Sequence, residues 1–180
     1  MVAVGEIGDK TQLLALMLSV RLRRPVPIIL GILVATLANH TLAALVGDSV
    51  RHALPAQWLR WLVAASFFGV ALWALKADDA EDTGKVAASN LGAFALTAGA
   101  FFIAEMGDKT QIATAVLAAQ FGNVVAVVAG TTLGMLIADV PVVLLGNAGA
   151  RRIPFKLVRM IAAALFALMG VVALVAPLPT

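Results

Sequence analysis

Apolar residues fill long stretches of this chain continuously, without the alternation of polar and apolar positions that marks a half-buried strand. Runs of about 20 residues cross ~30 Å of hydrocarbon when helical. Such runs lie at 26–47, 58–76, 91–119, 124–146 and 156–176, and a sixth, clipped run occupies about 1–20. The pattern predicts an all-α integral membrane protein with six transmembrane helices. A β-barrel does not fit, because barrel strands alternate polar and apolar residues. Nor is the first run expected to be a cleavable signal peptide, since Glu6, Asp9 and Lys10 interrupt the place of its apolar core.

Composition agrees: 62% of the residues are hydrophobic and the mean hydropathy is +0.99, against about 45–50% apolar content in soluble domains. The basic pI does not indicate nucleic acid, because the cations cluster in short loops between the runs. Arg21, Arg23, Arg24, Lys76, Lys85, Arg151, Arg152, Lys156 and Arg159 follow the first, third and fifth spans, and only Arg51 and Arg60 lie on the other side. The positive-inside rule then places the loops 1-2, 3-4 and 5-6 in the cytoplasm and both termini outside. With no cysteine there is no disulfide or thiolate site, and two histidines argue against an imidazole zinc site.

Sliding the chain on itself by 99 residues aligns Gly31 with Gly130, Leu37 with Leu136, Gly47 with Gly146, Pro55 with Pro154, Arg60 with Arg159 and Phe67 with Phe166. The repeat covers about 1–76 and 100–175. Each unit holds three spans, an odd number, so the second unit is expected to enter the membrane from the opposite side, as two inverted three-helix repeats. The expected organisation is one membrane domain: a first repeat at 1–76, a polar acidic cytoplasmic linker at 77–90 and a second repeat at 91–180. Asp78, Asp79, Glu81 and Asp82 of the linker read as a solvated loop. Only five residues precede Glu6, whereas fourteen from Leu91 precede its counterpart Glu105, so the chain is expected to start upstream of Met1.

The repeat's chemistry lies in one string, Glu-x-Gly-Asp-Lys-Thr-Gln, at Glu6 to Gln12 and again at Glu105 to Gln111. A charged side chain at mid-membrane costs roughly 2.5–3.5 kcal/mol on insertion scales, and ion or proton paths are the usual reason to keep one. On a continuous helix Glu6 and Asp9 share a face, as do Glu105 and Asp108. Lys10 and Lys109 sit four residues after their glutamates, within reach of the same face, so each motif can carry an internal ion pair. Four carboxylates and two lysines sum to −2, the charge one divalent cation neutralises. Hard cations take oxygen ligands, and Thr11, Gln12, Thr110 and Gln111 add hydroxyl and amide oxygens. Gly8 and Gly107 let backbones approach closely or break the helix to free carbonyls. Cation and protons would compete for the same carboxylates. At a site that opens alternately to either side, that competition is exchange. The competing reading is a structural salt-bridge cluster, which a second inverted copy makes less economical.

Under the same shift His40 matches Asp139. Asp139 is a candidate additional ligand or proton carrier. His40, with Asn39 beside it, reads first as a satisfied interhelical polar pair and second as a proton relay. Lys10 and Lys109 share the accessory role. Asp48 is expected at the interface, Gly130-x-x-x-Gly134 at a close helix contact, and Trp58, Trp61 and Trp73 as interfacial anchors.

The strings Glu6-Ile-Gly8-Asp9-Lys10-Thr11 and Glu105-Met-Gly107-Asp108-Lys109-Thr110 resemble the paired Glu-x-Gly-Asp-Lys-Thr/Ser signatures of the Gdt1 family of membrane cation transporters, matching at every defined position. The resemblance implies a multi-pass protein of a prokaryotic inner membrane that carries Mn²⁺, or Ca²⁺ in some members, in exchange for protons. It maps the family's acidic residues to Glu6, Asp9, Glu105 and Asp108. The metal is then a transported substrate rather than a tightly bound cofactor, the partners are the bilayer, the ion and protons, and a homo-oligomer stays open. Export of a small amino acid or other cationic organic solute is the alternative. An aspartyl-protease dyad is disfavoured, because each Asp is followed by Lys and neither copy has the Gly-x-Gly-Asp string, so no enzyme is expected.

Overall fold

The computed structural model describes residues 1–76, 92–145 and 155–175, and these form eight helices with no strand among them. In chain order they are α1 (Val2–Glu6), α2 (Lys10–Leu22), α3 (Pro25–Ala53), α4 (Ala56–Leu75), α5 (Ala93–Glu105), α6 (Lys109–Phe121), α7 (Val124–Leu145) and α8 (Phe155–Val175). Four of them, α3, α4, α7 and α8, are long and apolar enough to cross a bilayer. The acidic linker lies outside the described residues, as do Lys85, Arg151 and Arg152.

The first and fourth expected spans are not single helices. Each breaks at its motif, where Ile7 (ψ 115°) and Met106 (ψ 119°) turn extended and the next residue takes a positive φ, 83° at Gly8 and 76° at Gly107. That region costs an L-residue about 1–2 kcal/mol and costs glycine nothing comparable. Asp9 and Asp108, with φ of −80° and −75°, then cap α2 and α6. The freed amide of each glycine is satisfied by its own motif: Gly8 N–H donates to Gln12 Oε1 at 2.8 Å, and Gly107 N–H to Gln111 Oε1 at 2.7 Å. The shared-face argument for Glu6 and Asp9, which assumed a continuous helix, therefore does not hold; a turn, not a helical face, sets their relation. The local match continues to the far ends of both helices, where Arg23 (φ 53°) and Gly122 (φ 63°), 99 positions apart, terminate α2 and α6 in the left-handed conformation.

The long helices pack crosswise between the halves of the chain. α3 lies against α5 and α6, α7 against α1 and α2, and α4 against α8. Each broken helix is thus covered by a helix from the other half. Two apolar clusters flank the breaks, one containing Phe67 and Phe166 on α4 and α8, the other containing Leu18, Ile32, Phe101 and Met135. In lipid such packing stabilises through dispersion and close fit, because lipid tails are as apolar as the side chains. Gly134 meets α1 as the glycine spacing predicts, since a Cβ there would lie 3.0 Å from Ala3 N, but Gly130 faces open space. Trp58, Trp61 and Trp73 are exposed near the two ends of α4. Asp48 lies within α3, one turn before its end, with its side chain 29% exposed and 3.6 Å from His52 Nδ1.

Candidate cation site

The breaks bring both motifs into one buried polar cluster. Glu6, Asp9, Glu105 and Asp108 are each no more than 1% exposed. The Thr11 hydroxyl donates to Glu6 Oε2 at 2.8 Å and stands 3.4 Å from Asp9 Oδ2, so it links the two acids of the first motif. The Thr110 hydroxyl, from the second motif, donates to the other oxygen of Glu6. Thr110 N–H also donates to Asp108 Oδ2 at 3.3 Å, so the Asp108 side chain caps α6.

The lysines correct the expectation of ion pairs inside each motif. Lys10 Nζ lies 3.3 Å from Asp108 Oδ1, and Lys109 Nζ pairs with Asp9 Oδ1. Each ammonium therefore neutralises the aspartate of the other motif. The physical reason is the break: once the chain turns at Gly8 and Gly107, Glu and Lys no longer occupy i and i+4 of one helix, and the first residue of α2 faces the N-cap of α6. Lys109 is 5% exposed and its Asp9 partner fully buried, whereas Lys10 keeps 23% of its side chain exposed.

Gln12 and Gln111 fasten the breaks to the covering helices. Beyond its bond to the glycine amide, Gln12 Nε2 donates to the Ala138 carbonyl on α7 at 3.1 Å, and Gln111 Nε2 approaches Asn39 Oδ1 on α3 at 3.4 Å. Asn39 Nδ2 in turn donates to the Phe102 carbonyl at 2.9 Å. His40 is not the satisfied partner expected of it. Its ring is fully buried, neither nitrogen makes a hydrogen bond, and Nε2 stands 3.7 Å from Glu105 Oε2. Neither oxygen of Glu105 or of Asp139 makes a hydrogen bond. Thr36, one helical turn before His40 on α3, also has a buried hydroxyl without a partner. It was not singled out from the sequence, although its i, i+4 spacing to His40 was a usable signal.

Among the described residues no three acidic or histidine side chains stand close enough to hold a metal ion as they are arranged. Two of the four motif carboxylates are instead occupied by ammonium groups. What the cluster offers is a dense set of carboxylate and hydroxyl oxygens at a helix break, with two internal cations that share its charge.

The model of the divalent cation/proton antiporter GDT1 matches residues 1–82 and 93–179, both motifs included. The chain belongs to the GDT1 family. Relatives extend the match over most of their length. A Vibrio cholerae serotype O1 protein provisionally named as a manganese exporter is 49% identical over 170 residues, 94% of this chain and 84% of that protein. A GDT1-like protein of Synechocystis is 35% identical over 196 residues, 96% of this chain and 92% of the relative. GDT1-like protein 5 of Arabidopsis thaliana is 26% identical over 218 residues. No solved structure matches this chain. Membership of an antiporter family and the long apolar helices together identify a multi-pass membrane transporter.

Two clefts adjoin the GDT1 motifs. One, of about 330 Å³, is lined by Gln12 with Ala138, Pro141, Val142 and Leu145 of α7. The other, of about 240 Å³, is lined by Gln111 with Leu42, Ala43 and Val46 of α3. Shifted by 99 residues, Gln12, Pro141, Val142 and Leu145 become Gln111, Leu42, Ala43 and Val46, so the clefts are equivalents. A larger apolar cleft of about 730 Å³ between α1, α6 and α7 contains no motif side chain.

Proposed function

We propose that this GDT1 protein exports Mn²⁺ across a prokaryotic inner membrane in exchange for protons, with Ca²⁺ as a second substrate, at one site built from Glu6, Asp9, Glu105 and Asp108. The observation that carries the reading is the crossed pairing of Lys10 with Asp108 and Lys109 with Asp9, which makes a single unit of two motifs 99 residues apart. The hydroxyls of Thr11 and Thr110 and the amides of Gln12 and Gln111 support it. Four carboxylates against two ammonium groups leave −2, which one divalent ion balances. Metal entry requires the carboxylates to be deprotonated, and their release of the metal lets protons return; this is the coupling step. The ammonium groups hold the aspartates while the metal is away.

In this reading the chain has six spans, with α1–α2 and α5–α6 each forming one broken span, arranged as two inverted three-helix repeats with both termini outside. The equivalent clefts at Gln12 and Gln111 support alternating access, each serving as one route to the shared site. The larger cleft, lacking any motif side chain, gives the organic-solute alternative no support.

Expression in a bacterium that lacks its own manganese efflux tests the assignment. The wild-type chain should lower cell-associated Mn²⁺ and restore growth on high Mn²⁺, and Glu6→Gln and Asp108→Asn, present in the membrane at equal amounts, should do neither. Restoration by both variants would remove the motif carboxylates from the mechanism.

A further inference from the structure

The repeat matches the two motifs at every defined position but departs at a buried polar position of the helices that cover them. Position 40 on α3 is histidine, and its counterpart at 139 on α7 is aspartate. Both side chains are fully buried, and neither makes a hydrogen bond through any ring nitrogen or carboxylate oxygen. A buried polar group left unmatched costs about 1–3 kcal/mol. Two such groups sit at equivalent places on the helices that cover the breaks, each without a hydrogen-bond partner. His40 Nε2 is 3.7 Å from Glu105 Oε2, itself without a hydrogen bond, and α3 packs on both α5 and α6. α7 packs on α1 and α2, and the Ala138 carbonyl next to Asp139 accepts from Gln12 of the first motif. Pro141, two residues on, has no N–H for the Ile137 carbonyl, which loosens α7 beside the site.

Resting on the cation reading above, we infer that Asp139 and His40 complete the site as non-equivalent ligands, and that the His40 nitrogen sets its preference for a first-row transition ion over Ca²⁺. Ca²⁺ takes oxygen ligands in flexible geometry. An imidazole nitrogen suits Zn²⁺, Fe²⁺, Ni²⁺ and Cu²⁺ best, and Mn²⁺, the hardest of the first-row ions, still accepts one more readily than Ca²⁺ does. A site of motif carboxylates, threonine hydroxyls and Asp139 alone would be all oxygen and would serve Mn²⁺ and Ca²⁺ alike. One nitrogen beside Glu105 breaks that parity without adding charge. Asp139 does the opposite: it adds an anionic oxygen that strengthens binding of either ion.

Proteoliposomes of the full chain, given Mn²⁺ or Ca²⁺ separately, test this by the ratio of apparent affinities. His40→Asp, which copies the other half, and His40→Gln, a neutral oxygen donor, should both still move Ca²⁺ while the Mn²⁺-over-Ca²⁺ ratio falls at least about 10- to 100-fold, the loss that even an outer partner of a metal ligand typically costs. Asp139→Asn should weaken both ions and leave the ratio unchanged. An active His40→Asp or His40→Gln protein with the wild-type ratio would overturn the inference and leave the transporter reading standing; wild-type protein that moved neither metal would overturn both. Should the His40 variants fail to insert, pulsed electron paramagnetic resonance of Mn²⁺ bound to wild-type protein decides: nitrogen coupling supports the inference, and its absence overturns it.

Discussion

Lys109 and Asp9 sit one hundred positions apart in sequence and pair in a fully enclosed setting, with 5% and 0% of their side chains exposed. Removing one partner of a buried pair leaves an uncompensated charge and costs about 3–5 kcal/mol. Lys109→Met should therefore destabilise the protein by that amount in detergent unfolding, and Lys10→Met by clearly less, because 23% of the Lys10 side chain is exposed. Adding Asp9→Asn to Lys109→Met should recover most of the lost stability and none of the transport. The glycines of the breaks give a second expectation: Gly8→Ala or Gly107→Ala forces a side chain into positive φ and should lower stability by about 1–2 kcal/mol. The sequence made these residues conspicuous, since three charged positions recur in each of two apolar stretches. It did not reveal their partners. The i, i+4 rule that paired each Lys with its own Glu presumes a continuous helix, and the glycine between the acids removes that helix.

The elements obey the repeat in backbone and depart from it in surroundings. Gly31 on α3 lies so close to α5 that a Cβ would come within 2.8 Å of Thr97 Cβ and 2.9 Å of the Phe94 carbonyl oxygen, while nothing lies within 4 Å at Gly130, its match on α7. Gly31→Ala should cost about 1–3 kcal/mol by overpacking. Gly130→Ala should be neutral or stabilise by up to about 1 kcal/mol, since alanine suits a helix better. Thermal unfolding of the two variants side by side reads the difference. Hydropathy located the long helices well: α4 at Ala56–Leu75 was legible as 58–76, and α7 at Val124–Leu145 as 124–146. The crosswise packing was not legible. Nothing in the pattern along α3 says that Asn39 will donate to the carbonyl of Phe102, 63 residues away, or that His40 will face Glu105 unsatisfied, because lipid-facing and protein-facing positions are both apolar.

For the whole molecule the chain belongs to the GDT1 antiporter family, and the proposal of one shared site rests on the crossed lysines and the shared glutamate. Metal ligation needs ionised carboxylates, so apparent metal affinity should fall as the pH on the binding side falls and recover as it rises. Metal uptake measured across a pH series checks that sign; an affinity that grew with acidity would contradict it. The most direct test of exchange is proton movement driven by metal. In proteoliposomes loaded with a pH-sensitive dye, adding Mn²⁺ outside should drive protons out of the lumen in wild-type protein, and Glu6→Gln and Asp108→Asn should each abolish the signal. Mn²⁺ entering with no proton movement, or proton flux that survives both substitutions, would contradict an antiporter whose site spans the two motifs.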